Sequence, residues 1–288
     1  MLEVKGDMSL GTFSDSALMI IGHGTTSSDG ASQAVLEHVE AIRKLGAFRE
    51  VHGAFWKQTP SVEEVFSQIR SERVFLVPFF ISEGYFSDIV IPRALGFLEE
   101  SGVLSRRLVR EGRTFFYTRV VGGHSGVTDL ILARSREVVE RFPFPRCPPP
   151  GETTLFIAGH GTLKNTKSRE GVELQATRVS RMGIYSHVKA VFLEESPRIS
   201  DCFSLAATRH LVVVPFFASE GMHVREDIPV LLGEPSAVVQ RRLAGGQPSW
   251  RNPTERQGKL AWYAKSVGSS PAMPGMIMDL AREAASGG

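Results

Sequence analysis

Apolar positions along this chain fall into short runs that alternate with stretches of helical spacing. Residues 17–21 are an unbroken apolar run ending at Gly22, the pattern of a strand buried on both faces. Val35, Val39 and Ile42 then recur at helical spacing, which predicts a helix over 33–45 that Gly46 stops. Residues 51–56 predict a second strand, Pro60 a helix start, and residues 74–80 a third strand. A loop with Gly84, a helix after Pro92, a strand over 115–121 and a helix over 127–139 close the unit. The same order then repeats: strand 155–158, helix 170–182, strand 188–193, a helix from Pro197, strand 211–217, and a helix after Pro229. This alternation predicts an α/β fold of two similar domains related by internal duplication, each a mostly parallel sheet flanked by helices.

The duplication is explicit in the residues. Gly22-His23-Gly24-Thr25 returns as Gly159-His160-Gly161-Thr162, and Val77-Pro78-Phe79-Phe80 as Val214-Pro215-Phe216-Phe217. Ser82-Glu83-Gly84 returns as Ser219-Glu220-Gly221, and all three matches share the offset 160 − 23 = 137. Tyr117, Gly122, Arg136 and Glu137 answer to Tyr263, Gly268, Arg282 and Glu283 at an offset of 263 − 117 = 146. Nine further residues (146 − 137) therefore enter between Pro229 and Tyr263, and the polar stretch 245–258 is where they are expected. The proline-rich residues 143–151 read as a stiff linker between a first domain (1–142) and a second (152–288).

Composition narrows the class. A chain of 288 residues with 42% hydrophobic and 22% charged residues is that of a globular protein with room for two cores. A net charge of +2 argues against a general nucleic-acid or membrane binder. Cys147 and Cys202 are too few for a disulfide scaffold or a cysteine metal cluster. The first sixteen residues lack a cationic segment leading into an apolar one, and 17–21 is too short to span a bilayer, so a cytoplasmic protein is expected. Neither Gly-His-Gly-Thr turn continues into a P-loop and no G-x-G-x-x-G follows a strand, so ATP and NAD are not expected.

Candidate chemistry gathers in one half. His160 falls past the end of the first strand of its half and His223 past the third. In a parallel sheet such ends share one edge, where crevices bind ligands. Two neutral imidazoles there suit a divalent metal. Glu194 and Glu195 end the second strand on that edge, and either offers a third ligand or a proton acceptor. The first half keeps His23 but has Phe86, Lys57 and Gln58 at the other positions, which reads as one working site and one retired site. Asp227, before Ile228-Pro229, reads as a helix N-cap. His38, His52, His124, His187 and His210 read as structural or surface residues.

The strand entering Gly159-His160-Gly161, the run Phe192-Leu193-Glu194 before Pro197, and the long segment from Val214 through Glu220-Gly221-Met222-His223 to Pro229 together resemble the class II chelatases of tetrapyrrole biosynthesis, the sirohydrochlorin cobaltochelatase/ferrochelatase (CbiX-like) group. The resemblance covers both halves and is weakest in the last fifty residues. It implies a lyase of cobalamin or siroheme biosynthesis that inserts a divalent metal, Co²⁺ before Fe²⁺ or Ni²⁺, into sirohydrochlorin or a related tetrapyrrole without ATP. No cofactor beyond that substrate metal is implied. His160 and His223 would bind the metal and take protons from the macrocycle, with Glu194 (or Glu195) assisting. Lys164 and Arg225, with Lys167 and Arg169 nearby, would meet the macrocycle's carboxylates. Two-domain members resemble two fused copies of a smaller homodimeric enzyme, which implies a monomer with no nucleic-acid or membrane partner. A non-catalytic metal or tetrapyrrole carrier is the rival reading. A histidine phosphatase would need an arginine beside the strand-end histidine, where Gly22 and Gly159 stand.

Overall fold

The apolar run at 17–21 lies inside β1 (Phe13–Gly22), the strand second from one edge of a five-stranded sheet. The structure, a computed structural model, describes residues 13–25, 30–162 and 166–287. Leu18 and Ile20 enter one apolar core and Ala17, Met19 and Ile21 another, all fully buried. The two-residue period of a strand thus divides a continuous apolar run between two faces. The first half continues with α1 (Gly30–Leu45), β2 (Phe48–Phe55), α2 (Val62–Gln68), β3 (Arg73–Pro78), α3 (Ile91–Leu95), β4 (Arg107–Arg110), β5 (Arg113–Tyr117) and α4 (Val127–Arg141). The strand order is β2-β1-β3-β5-β4, parallel except for β4, which runs antiparallel to β5.

The second half repeats this with β6 (Thr153–Gly159), α5 (Thr166–Arg181), β7 (His187–Phe192), α6 (Cys202–Leu205), β8 (His210–Pro215), α7 (Ile228–Leu231), α8 (Ser236–Ala244), β9 (Thr254–Arg256), β10 (Lys259–Tyr263) and α9 (Met273–Ala285). Its order, β7-β6-β8-β10-β9, is the first sheet's order with each number raised by five. A single turn of π-helix, Phe86–Val90 or His223–Asp227, leads into α3 or α7.

Four expectations change. No helix runs from Pro197: a 3₁₀ turn at Ile199–Asp201 leads into α6, which starts at Cys202. Pro60 does not open α2: Ser61 caps it, its Oγ accepting the Glu64 N–H (3.2 Å) while the Glu64 carboxylate accepts the Ser61 N–H (2.9 Å). The short hairpin partners β4 and β9 were not expected as strands, because edge strands carry little apolar signal. The added residues of the second half are not confined to 245–258. They form α8 and the loop after it, whereas Gln257 and Gly258 repeat the Glu111–Gly112 hairpin turn, with φ near 52° at both non-glycine positions.

The two halves share one core. The inner faces of both sheets and α1, α4, α5 and α9 contribute to a single apolar cluster, while separate clusters cover each outer face. Each half sends its last helix across: α4 packs on β8 and α5, and α9 on β3 and α1. Polar contacts follow the same exchange. His38 Nε2 donates to the Gly268 carbonyl (2.7 Å), and Gln175, at the matching position, accepts from Thr128 Oγ1 (2.7 Å). No described helix is long and apolar enough to cross a membrane.

Candidate active site

The two strand-end histidines are set by the same local geometry. Gly161 has φ +62°, a conformation that costs glycine little, and a Cβ there would press on Phe192. The chain therefore turns sharply as it leaves β6, and His160 stands at the strand end with Nδ1 donating to the Gly161 carbonyl (2.9 Å). In the neutral ring that bond leaves the Nε2 lone pair for a ligand. His23 repeats the arrangement with Gly24 (2.9 Å).

His223 is the first residue of its π-helical turn, and its Nδ1 donates to Asp227 Oδ2 at 2.6 Å. Such a carboxylate fixes the tautomer, orients the ring and makes Nε2 a better metal ligand. Asp227 is therefore not the helix cap expected from its place before Ile228-Pro229; its side chain makes no capping bond. The pair is an i,i+4 contact, which appears only once the segment after Met222 is known to be helical. Tyr263 repeats Tyr117, and the offset between the copies does not reveal what the pair does. Its hydroxyl donates to the Val224 carbonyl (2.7 Å) and pins the turn, as Tyr117 does at Ser87 (2.8 Å). Burial pushes both phenol pKa values well above the usual tyrosine range.

His160 and His223 stand with ring centroids 5.0 Å apart and planes at 86°. Glu194 lies beside them, Oε1 3.9 Å from His160 Nδ1, with its side chain more than half exposed. Glu195 is engaged elsewhere: Arg169 holds its Oε2 at 3.0 Å. The matching first-half pair is neutral, Gln58 donating to Ser32 (3.2 Å), so this position braces the loop in both halves. The acidic residue facing the histidines is thus Glu194.

The first half has lost more than one group. Phe86 occupies the place of His223, 4.6 Å from His23 between ring centroids, and Lys57 Nζ lies 5.6 Å from the Phe86 ring. The orienting carboxylate is gone too, since 227 − 137 = 90 and residue 90 is valine. Burial lowers the His23 pKa; the Gly24 carbonyl bond opposes that shift and the Lys57 charge adds to it. His23, Lys57 and Phe86 nevertheless face the same cavity of about 930 Å³ as His160, Glu194 and His223. One cleft between the halves therefore holds both sets. Among the described residues no three His, Cys, Asp or Glu side chains close into a metal-binding cluster.

The cationic rim is not assembled as expected. Lys164 lies outside the described residues. Lys167 spans the halves to Glu83 (3.4 Å) and Asp88 (2.7 Å), and its pKa rises chiefly through the Asp88 bond. Arg169 is taken by Glu173 and Glu195, and Arg225 lines a different cavity. One brace was not anticipated. Glu220 Oε1 accepts from the Ser266 N–H (2.6 Å) and Ser269 Oγ (2.9 Å). Arg134, from α4 of the other half, donates to the Ser266 carbonyl (3.1 Å) and Ser269 Oγ (2.9 Å). Its members come from three distant segments, so no local spacing announced it.

Two histidines and a carboxylate at the strand ends of one of two matched sheets place this chain with the chelatases. Over 92% of its length it superposes on 54% of a multi-domain protein of Deinococcus radiodurans that has structural similarity to chelatases and two additional novel domains, with a TM-score of 0.73 and 27% identity. The chain belongs to the CbiX family, whose model matches residues 17–138 and again 154–284. It is 33% identical to the probable sirohydrochlorin cobaltochelatase of Halobacterium salinarum over 93% of this chain and 91% of that one. A sirohydrochlorin cobaltochelatase of Methanopyrus kandleri matches 45% of this chain and 95% of its own length at 28% identity, so it corresponds to a single half. The chain is accordingly a chelatase enzyme with a duplicated fold.

Proposed function

We propose that this chelatase inserts Co²⁺ into sirohydrochlorin without ATP, in cobalamin or siroheme biosynthesis. The observation that carries the reading is the pair of imidazoles whose Nδ1 atoms are both committed, to the Gly161 carbonyl and to Asp227, in a cavity that also holds Glu194. Each ring thereby keeps Nε2 for a metal. Two imidazoles and at most one carboxylate bind a divalent ion more weakly than the four nitrogens of a macrocycle, so the ion can be passed on. Insertion also releases two pyrrole N–H protons. Glu194 and the imidazoles, once freed of the metal, are the bases at hand. The cavity of about 930 Å³ suits a tetrapyrrole, and Phe86, Phe79 and Phe216 give it apolar walls.

The test is metal insertion by the purified chain with sirohydrochlorin and Co²⁺, Fe²⁺ or Ni²⁺ in turn, followed by absorbance. Co²⁺ is expected to give the highest kcat/KM with no nucleotide present. Faster turnover with another ion would reassign the metal. Tight binding of macrocycle without insertion of any ion would make the chain a carrier.

A further inference from the structure

A second cavity, of about 970 Å³, opens on the other side of the turn that carries His223. Val224 lines both cavities, but basic side chains gather in the second. Six basic residues face the second one. Arg134 and Arg242 are tied into the protein, Arg242 by Glu234 at 3.0 Å and by the Ser249 carbonyl at 3.0 Å. Arg225, Arg251 and Lys265 are exposed and have no ion-pair partner among the described residues, and Arg141 lies over the Phe142 ring. Among the described residues two carboxylates line the cavity, and both are engaged: Glu137 by Arg134, Glu220 by Ser266 and Ser269.

Two further features mark this as a built pocket and not merely a cationic surface. Trp250, in its wall, is 4% exposed, and its indole N–H is buried with no hydrogen-bond partner among the described residues. A buried donor without an acceptor is unfavourable and is normally satisfied. Moreover, Leu243 and Gly246 through Asn252, most of one wall, lie in the segment 233–253 that replaces 96–107 of the first half and carries the nine added residues. Asn252 is held rigidly there, exchanging two bonds with the Tyr263 backbone (2.9 and 2.7 Å).

We propose that this cavity is a binding site for a small organic or inorganic oligoanion, one carrying at least two carboxylate or phosphate groups. Guanidinium groups bind both kinds of oxyanion with paired N–H bonds, and an ammonium adds a point charge. A single monovalent anion would leave most of the positive charge uncompensated. The site is separate from the histidine cavity, and its binding can be read without metal or macrocycle, so it stands or falls independently of the insertion reaction.

The experiment is calorimetric titration of the full chain with citrate and, separately, with pyrophosphate, in chloride buffer at fixed ionic strength, with tryptophan fluorescence as a second signal. Saturable binding of at least one probe is expected. The double variant Arg251→Gln/Lys265→Gln should weaken it by about tenfold or more, because two charged contacts are lost. A control pair on the exposed face of α5, Arg178→Gln/Arg181→Gln, should leave it unchanged. Tighter binding of citrate would identify a carboxylate ligand, and of pyrophosphate a phosphate ligand. Metal insertion without added anion should be the same in the Arg251/Lys265 variant as in the parent, showing that the fold is intact. Failure of both probes to bind at millimolar concentration, or equal weakening in the control pair, overturns the proposal.

Discussion

Substituting single residues should separate the working set from its relic. His160→Ala and His223→Ala are each expected to leave under about a tenth of the insertion rate, a barrier increase of roughly 1.4 kcal/mol or more, with melting temperature unchanged. His23→Ala should lose far less, since Phe86 and Val90 stand where a second ring and its carboxylate would be. Equal losses in the three variants would mean that both strand-end histidines share the metal across the cleft. A finer test concerns Asp227, whose carboxylate accepts the hydrogen bond from His223 Nδ1. Asp227→Val copies the first half and should weaken Co²⁺ binding by about 10–100-fold, the usual cost of losing such a partner. Equilibrium titration with Co²⁺ measures this, and unchanged affinity would show that His223 is held by packing alone.

At the scale of elements, the turn bearing His223 depends on supports from elsewhere in the fold. Tyr263 holds it from β10, and the Glu220–Ser266–Ser269 cluster holds the preceding loop, with Arg134 entering from α4. The first half has no such brace at the matching places, because 266 − 146 = 120 and 269 − 146 = 123 are valine and glycine, and 134 + 146 = 280 is leucine. Arg134→Leu leaves the Ser266 carbonyl without this donor inside the protein. It should cost about 1–3 kcal/mol of stability in denaturant melts, and Co²⁺ affinity should fall with it. A variant of parental stability and affinity would remove Arg134 from any positioning role. Gly268 shows how tightly these segments approach: a Cβ there would collide with the Ala218 backbone.

The whole molecule behaves as one folding unit in this structure, since the last helix of each half covers the other half's sheet. Residues 1–151 produced alone should bind a hydrophobic dye and aggregate, and co-production with 152–288 should restore a cooperative melt. Independent cooperative unfolding of the first fragment would refute this. The shared core also carries a pH dependence. Burial lowers the pKa of His38; the Gly268 carbonyl bond and Glu37 oppose that shift, while Arg134 adds to it. The unfolded chain therefore binds a proton at about pH 6.5 that the folded chain still refuses. Stability contributed by neutral His38 is complete above that pH and declines below it, until the folded ring also protonates. Melting temperatures between pH 7.5 and 5.5 should fall more steeply for the parent than for His38→Gln, which copies Gln175 of the second half.

The sequence by itself determined the duplication, the α/β alternation, and the placement of His160 and His223 past strand ends. These follow from local quantities: apolar period, glycine and proline positions, and a fixed offset between the copies. Glu194 and Glu195 could not be told apart along the chain, because adjacent residues share every sequence argument; in the fold Arg169 engages Glu195 and Glu194 lies beside His160. Asp227 before Ile-Pro suggests a cap along the chain; that helical structure already begins at His223, which sets the two side chains against each other as an i,i+4 pair, is a property of the folded loop. The edge hairpins were missed because strands exposed on one side carry weak patterns, and α8 because a modest amphipathic helix resembles a polar insertion. Only the tertiary structure could show that α4 and α9 exchange partners, that both histidine sets face one cleft, and that Arg225 turns to a second cavity. Each of these depends on contacts between residues far apart in the chain, where no periodicity or spacing reaches.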